Sequence, residues 1–345
     1  MSENTAKGWQ GNFFEDFELG QTIACPTPRR VGEGETAAYI GLTGDRTPRF
    51  CNEDRVLHPL MLFHTSFGQT VRQISLNARA NLGYADWVWR RPVRTATVLH
   101  TNMEIIGLKE NSSGKTGVVY VKNRARDVGG ELVCEYTRWV MIKKRGSAPT
   151  RWASDPVVPE LPSVVDTSRL RVDRSDLPKA AHTGGQYYFE DYVPGERVVH
   201  HDGQTVNPSD HMAFTRLFQN SAKIHFDAQL TEGKPLVYGG FPMSVGYAQA
   251  YNGFENRLGL AAVNGGVHAN PVYAGDTLYS MTVVDSVDPL GAAPAGAVRC
   301  KLYVFKNFNP ATDPDIALRD EKGKLIPSVA LELDFWELIT KRAAI

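Results

Sequence analysis

Hydrophobic and polar residues alternate along six long segments of the chain, three in each half, and a period of two predicts β-strands. In the last segment every second residue from Val329 to Phe335 is apolar. Glu332, Asp334 and Trp336 fall on the opposite face of that segment. The six predicted strands are 98–106, 116–126, 131–142, 276–284, 297–308 and 328–338.

Helical patterns precede the strands in each half. Pro59 and Pro242 stand just where two longer helices would begin, and proline is tolerated in a first helical turn. A buried helix followed by long antiparallel strands is typical of an α+β arrangement, in which a sheet wraps around one central helix. The predicted helices are 33–43 and 60–74 in the first half, and 208–218 and 243–258 in the second.

The chain contains two copies of one pattern. FFEDFELG at 13–20 recurs as YFEDYVPG at 188–195, and similar residues follow in the same order through both copies. We therefore predict one duplicated domain, at 10–145 and again at 187–345. The segment between them, 146–186, contains five prolines, which favour an extended connector lying on the surface.

Charge and composition exclude several classes of protein. Lys and Arg together number 38, as do Asp and Glu, so no excess of positive charge is present to bind nucleic acid. The apolar runs fall short of the ~20 residues of a membrane helix, and residues 1–12 lack a signal-peptide layout. Four scattered cysteines without a CxxC or HExxH motif argue against a metal site. We expect a cytoplasmic protein without a membrane partner.

Several motifs resemble those of the MaoC-like, or (R)-specific enoyl-CoA hydratase, superfamily. These are QNSAKIHFD at 219–227, VYGGF at 237–241 and YAGDTL at 273–278. The runs at 63–86 and 106–121 more closely resemble the family of mesaconyl-CoA hydratases, also called β-methylmalyl-CoA dehydratases. The resemblance implies a double hotdog fold, made of two fused hotdog domains. It also implies a hydro-lyase that reversibly hydrates mesaconyl-CoA to β-methylmalyl-CoA, with CoA as part of the substrate and no separate cofactor.

The resemblance also implies an active-site motif in which four residues separate an Asp from a His, and the two hold one water. In this chain the two halves divide that motif. The first half has Asp45 but Phe50 at the histidine position, whereas the second has His225 but Asn220 at the aspartate position. We therefore expect catalysis in the second half, by His225 with Asn220, and a degenerate site around Asp45.

An amide at position 220 suits a substrate whose attacked carbon carries a carboxylate. An ionised Asp would repel that carboxylate by about 4 kcal/mol for unit charges 4 Å apart at an effective dielectric near 20. An amide removes the charge and keeps a donor and an acceptor for water. Alternatively, Asn220 caps a turn and His225 packs in a core.

Other residues are candidates for binding the substrate. Backbone N–H groups of Gly239 or Gly240 would polarise the thioester carbonyl, because glycine permits close approach. A cation would pair with the distal carboxylate, and His64 would line the acyl pocket or pack in the core. The further candidates are Lys223 and Arg216 as that cation, and Tyr238 beside the glycines.

Two other functions are compatible with the residues. In a hotdog acyl-CoA thioesterase a carboxylate such as Asp45 would direct water to the thioester carbonyl. A non-catalytic acyl-CoA-binding protein would tolerate the loss of one motif residue from each half. Since long antiparallel sheets leave edges that commonly pair, a homo-oligomer is also expected.

Overall fold

A computed structural model describes residues 7–51, 56–94, 96–172, 174 and 177–344. The beginning of the chain and three residues of the predicted connector therefore lie outside the described residues. No helix in the described ranges has the length and apolarity needed to cross a membrane.

Each half consists of short helices followed by four long strands. The first half contains β1 (Thr22–Ala24), β2 (Arg29–Val31), α1 (Glu33–Thr43), α2 (Pro48–Cys51), α3 (Pro59–Thr70), β3 (Ala78–Trp89), β4 (Thr97–Glu110), β5 (Thr116–Arg126) and β6 (Leu132–Lys143). The second part contains α4 (Ala180–Thr183), β7 (Arg197–Thr205), α5 (Pro208–Leu217), α6 (Gly240–Gln249), β8 (Arg257–His268), β9 (Thr277–Asp288), β10 (Ala295–Lys306) and β11 (Val329–Thr340).

One antiparallel sheet runs through both halves. Its strand order is β1-β4-β5-β6-β3-β8-β11-β10-β9-β7, and β2 also pairs with β4. β3 and β8 meet at the centre, where Tyr84 lies opposite Gly266 and Val88 opposite Ala262. The sheet wraps around α3 in one half and α6 in the other. The predicted α+β double hotdog is thereby confirmed.

The two central helices are enclosed almost completely. All ten residues of α6 are buried, as are all residues of α3 except Gln69. Glycines permit the closest contacts: a Cβ on Gly68 would lie 1.7 Å from the carbonyl oxygen of Phe218, and one on Gly246 would lie 2.4 Å from Val304. Since real side chains never approach so closely, larger residues at these positions would push the helices away from their neighbours.

The predictions missed the two strands at the centre of the sheet. The helix predicted at 243–258 ends at Gln249, and its last residues begin β8 at Arg257. β3 was not predicted at all. Both strands are rich in Ala, Gly and Asn, which are depleted in strands generally. Small residues fit here because Gly83 packs against the ring of Trp139, where a Cβ would lie 2.4 Å from the ring.

Parts of the connector pack against the sheet. Trp152, Val165 and Leu170 are buried against strands, and the indole N–H of Trp336 donates to the carbonyl of Val165 at 3.0 Å. This contact buries Trp336, which lies on the same face of β11 as Glu332 and Asp334. The segment 146–186 includes the 3-10 turns Arg151–Ala153 and Thr167–Arg169 as well as α4, and its buried residues contribute to the packed interior.

Candidate active site

A cavity of about 300 Å³ lies between the two halves. Its first-half wall comes from the end of α3 and from β3 and β6. Its second-half wall comes from the segment 220–239 and the end of β8. His225, Asn220, Tyr238 and Gly239 all line it, so four of the candidate residues meet in one place.

His225 ends a short 3-10 turn, Lys223–His225, and is 8% exposed. Its Nδ1 lies 2.8 Å from the carbonyl oxygen of Leu236. A carbonyl can only accept, so Nδ1 carries the proton and Nε2 is the basic nitrogen. Burial lowers the pKa of His225 to about 4, against a weaker opposing effect of the Leu236 carbonyl. The ring is therefore neutral at physiological pH and able to accept a proton.

The contacts of Asn220 are compatible with both roles considered for it, capping a turn and holding a water molecule. Its Oδ1 accepts a hydrogen bond from the N–H of Ala222 at 3.2 Å and so caps the turn. Its Nδ2 has no acceptor among the described residues, and the side chain lines the cavity. The amide therefore combines a structural oxygen with an available N–H donor.

The N-terminus of α6 closes one end of the cavity. Gly239 is the N-cap residue, and its N–H has no acceptor in the described part of the chain. Gly239 lines the cavity, whereas Gly240 lies behind it against His64 and Tyr238. A Cβ would lie 2.5 Å from the His268 ring at Gly239, and 2.6 Å from both His64 and Tyr238 at Gly240. Of the two glycines, Gly239 is the one placed to donate to a carbonyl oxygen at the positive end of the helix.

His64 lies in the core and reaches the cavity only through Tyr238. Its Nδ1 is 3.1 Å from the Tyr238 hydroxyl and its Nε2 is 2.9 Å from the hydroxyl of Ser244. Burial lowers the pKa of His64 well below its usual value. The Tyr238 ring in turn lies beside the ring of His225, at 5.7 Å between centroids. His64 thus fixes Tyr238, which forms the wall next to His225.

Neither predicted cation lines the cavity. Lys223 and Arg216 are both exposed, and Arg216 lies over the ring of Phe226 at 5.8 Å. Both point away because the turn and α5 present their inner faces to the core. The buried cation in the cavity wall is Arg138 of β6, which is not among the predicted site residues. Strand alternation contained the signal, since Arg138 shares its face with the buried Val140.

Two further residues in the cavity wall were also missed. The hydroxyl of Tyr84 lies 3.2 Å from Nε2 of His268, which joins the two halves across β3 and β8. Burial lowers the pKa of His268 to about 4, so this ring is neutral as well. The two residues come from segments that were not predicted as strands, so no face could be assigned to them beforehand.

The corresponding site of the first half is filled. Asp45 accepts from the N–H of Thr47 at 2.8 Å, just as Asn220 accepts from Ala222. Its other oxygen lies 3.1 Å from Nε2 of His58 and 3.6 Å from Arg257. Burial alone would raise the pKa of Asp45, but these two partners hold it well below its usual range.

Phe50 completes the filling of this first-half site. It stands at the position of His225 and packs on His58, with 4.5 Å between ring centroids. The nearby cavity measures only about 70 Å³. Asp45 is therefore the centre of a closed ion-pair cluster.

His200, which lies outside the cavity, has ordinary structural partners. His200 is fully buried, with Nδ1 at 2.7 Å from the carbonyl of Asn252 and Nε2 at 2.8 Å from the hydroxyl of Thr282. Across the described ranges no three His, Cys, Asp or Glu side chains come together as metal ligands.

Comparison with known proteins identifies relatives along nearly the whole chain. The family model for mesaconyl-CoA hydratase matches residues 2–314. The mesaconyl-CoA hydratase of Cereibacter sphaeroides is 41% identical, over 96% of this chain and 98% of that protein. The β-methylmalyl-CoA dehydratase of Chloroflexus aurantiacus is 39% identical, over 98% of this chain and 99% of that protein. A crystal structure of a MaoC domain protein dehydratase from Chloroflexus aurantiacus superposes with a TM-score of 0.92 at 38% identity, covering 98% of this chain and 99% of that one.

Proposed function

The chain belongs to the mesaconyl-CoA hydratase family, and from this premise we propose that it catalyses the reversible hydration of mesaconyl-CoA to β-methylmalyl-CoA. One observation supports the proposal above the others. A neutral His225 with an unprotonated Nε2 and the unpaired N–H of Gly239 line the same cavity. A base for water and a donor for the thioester oxygen are the two groups that this addition needs.

The reaction proceeds through an enolate. Nε2 of His225 takes a proton from water while the water oxygen forms a bond to Cβ. The electron pair of the double bond moves to the thioester carbonyl, whose oxygen accepts a hydrogen bond from Gly239. The protonated His225 then returns the proton to Cα, so that one water has been added and the enzyme is unchanged.

Asn220 positions the water without adding negative charge. In mesaconyl-CoA the carbon attacked by water carries a carboxylate, which an Asp at this position would repel. Nδ2 of Asn220 is free to donate to the water oxygen, because Oδ1 is held by Ala222. His225 thus carries the proton transfers alone, and CoA enters only as part of the substrate, so we propose no resident cofactor.

The geometry gives less support to a thioesterase. The carboxylate that would serve such a reaction, Asp45, is paired with His58 and Arg257 beside the small first-half cavity. A non-catalytic acyl-CoA-binding protein would have no need of a histidine with its basic nitrogen unpaired.

A single assay distinguishes the three functions. The protein is incubated with mesaconyl-CoA, and loss of enoyl absorbance is followed together with free thiol. Loss of absorbance without thiol is expected for the hydratase, thiol release would indicate a thioesterase, and no change would indicate a binding protein. His225→Gln should abolish the absorbance change. His200→Gln, which alters another buried histidine that does not line the cavity, should leave the absorbance change intact.

A further inference from the structure

Arg138 is a fully buried cation in the wall of the cavity. Among the described residues no carboxylate oxygen lies within ion-pair distance of its guanidinium. The other fully buried arginine, Arg257, lies in the closed first-half site and has Asp45 at 3.6 Å. The two buried arginines therefore differ in their surroundings. Arg257 has a carboxylate partner in the closed first-half site, whereas Arg138 in the open cavity has none among the described residues.

The partners of Arg138 are all neutral. Its Nη2 donates to the hydroxyls of Thr70 at 2.8 Å and Ser75 at 3.1 Å, and its guanidinium lies over the ring of Phe67 at 4.2 Å. Its Nε has no acceptor within the part of the chain that the structure describes. The remaining contact, from Nη1 to Oδ1 of Asn81, is 3.5 Å long and therefore weak. Burial lowers the pKa of Arg138, but an arginine stays charged at physiological pH.

A buried charge without a partner is costly to the fold, and a carboxylate from a ligand would relieve that cost. Guanidinium also matches carboxylate geometry better than an ammonium group does. Asn81 lines the cavity beside Arg138, and its weakly held amide oxygen is the contact that a ligand oxygen would displace most easily.

We propose that Arg138 binds the carboxylate on Cβ of a dicarboxylic acyl-CoA, which replaces the amide oxygen of Asn81 at Nη1. The inference rests on the proposed function, since it assumes that an acyl-CoA occupies this cavity. Arg138 and Asn220 then favour a dicarboxylic acyl group in two ways. Arg138 supplies a cation that attracts the carboxylate, and Asn220 replaces an anion that would repel it. Arg79, an exposed cation in the same wall, is the competing candidate.

The test measures binding, so it does not depend on turnover. Succinyl-CoA and butyryl-CoA differ only by a carboxylate in place of a methyl group, and neither has a double bond to hydrate. By calorimetry the unaltered protein should bind succinyl-CoA about tenfold or more tightly than butyryl-CoA, as expected for charge-assisted hydrogen bonds. Arg138→Gln should remove this preference and leave the affinity for butyryl-CoA unchanged, which also shows that the variant is folded.

Asn81→Asp provides a second variant that keeps the arginine. It places a carboxylate on Arg138 within the protein, so the preference for succinyl-CoA should again be lost while the thermal midpoint rises. A purely structural role for Arg138 also predicts the rise in the thermal midpoint, but it predicts no loss of the preference for succinyl-CoA.

The inference is overturned if the preference survives Arg138→Gln, or if Arg79→Gln removes it instead. Equal binding of both thioesters by the unaltered protein would refute the inference and leave the hydratase proposal intact. Binding of neither thioester would refute both.

Discussion

Protonation of His225 determines the lowest pH at which the activity persists. An ordinary histidine has a pKa near 6.5, whereas burial lowers that of His225 to about 4. The difference corresponds to about 3 kcal/mol between the two protonation states, at 1.36 kcal/mol per unit of pKa. At pH 5.5 the buried ring remains about 97% neutral, whereas an ordinary one would be only about 9% neutral.

The direction of the pH dependence follows because the neutral ring is the active form of His225. A lowered pKa in the folded protein keeps the base available as the pH falls, and activity is lost only near pH 4. We therefore expect kcat/KM for mesaconyl-CoA at pH 5.5 to equal its value at pH 7.5 within about twofold. The measurement is a profile of initial rates from about pH 3.5 to 8.5 at constant ionic strength.

An acidic limb near pH 6.5, with a roughly tenfold loss at pH 5.5, would refute this account of His225. Asn220→Asp provides a check in the opposite direction. A carboxylate beside the ring favours its protonated form, so the acidic limb should move upward toward neutral pH. His200→Gln removes another histidine of pKa about 4 outside the cavity and should leave the limb in place.

Three further changes have expected outcomes. Asn220→Asp should lower kcat/KM for mesaconyl-CoA at least about tenfold at pH 7.5, because the new carboxylate repels that of the substrate. The value for the neutral analogue 2-methylcrotonyl-CoA should not fall, and an equal loss on both substrates would exclude repulsion as the cause. Gly239→Ala places a Cβ 2.5 Å from the His268 ring. The free energy of unfolding measured in urea should therefore fall by about 1–3 kcal/mol, and kcat should fall as well. An unchanged free energy of unfolding would mean that the ring moves freely. Phe50→His restores the motif in the first half, yet in a His225→Gln background it should restore no hydratase activity, since the cavity there is only about 70 Å³; measurable turnover would show that the first-half site can open.

Much of the site could be predicted from local motifs. Asn220 and His225 lie in one short segment, and Gly239 follows soon after at the start of a helix, so their proximity depends on few residues of intervening chain. The duplication helped in the same way, because comparing Asp45 and Phe50 with their second-half counterparts showed how the motif is divided. The closed state of the first-half site was not predictable, since it depends on Arg257, far along the chain.

The prediction of the distal cation shows the limit of such reasoning. Lys223 and Arg216 were chosen because they are near the motif in sequence, and both are exposed. Arg138 is 87 positions before His225 and enters the cavity from the other half (225 − 138 = 87). Sequence distance is no guide here, because the antiparallel pairing of β3 with β8 brings the two halves face to face.

The sequence by itself predicted a duplicated α+β domain and the half that carries the histidine, because repeats, alternation and short motifs are local properties. Its resemblance to a known family implied the hotdog fold and the type of reaction. Only the tertiary structure decided how the halves join and which charges are left without a partner. The strands at the junction contain Gly83 and Gly266, which permit close packing against Trp139 and Leu333 despite their low strand propensity. Arg138 is likewise a candidate for binding a carboxylate only because no carboxylate of the described residues pairs with it. That absence depends on how the whole chain folds.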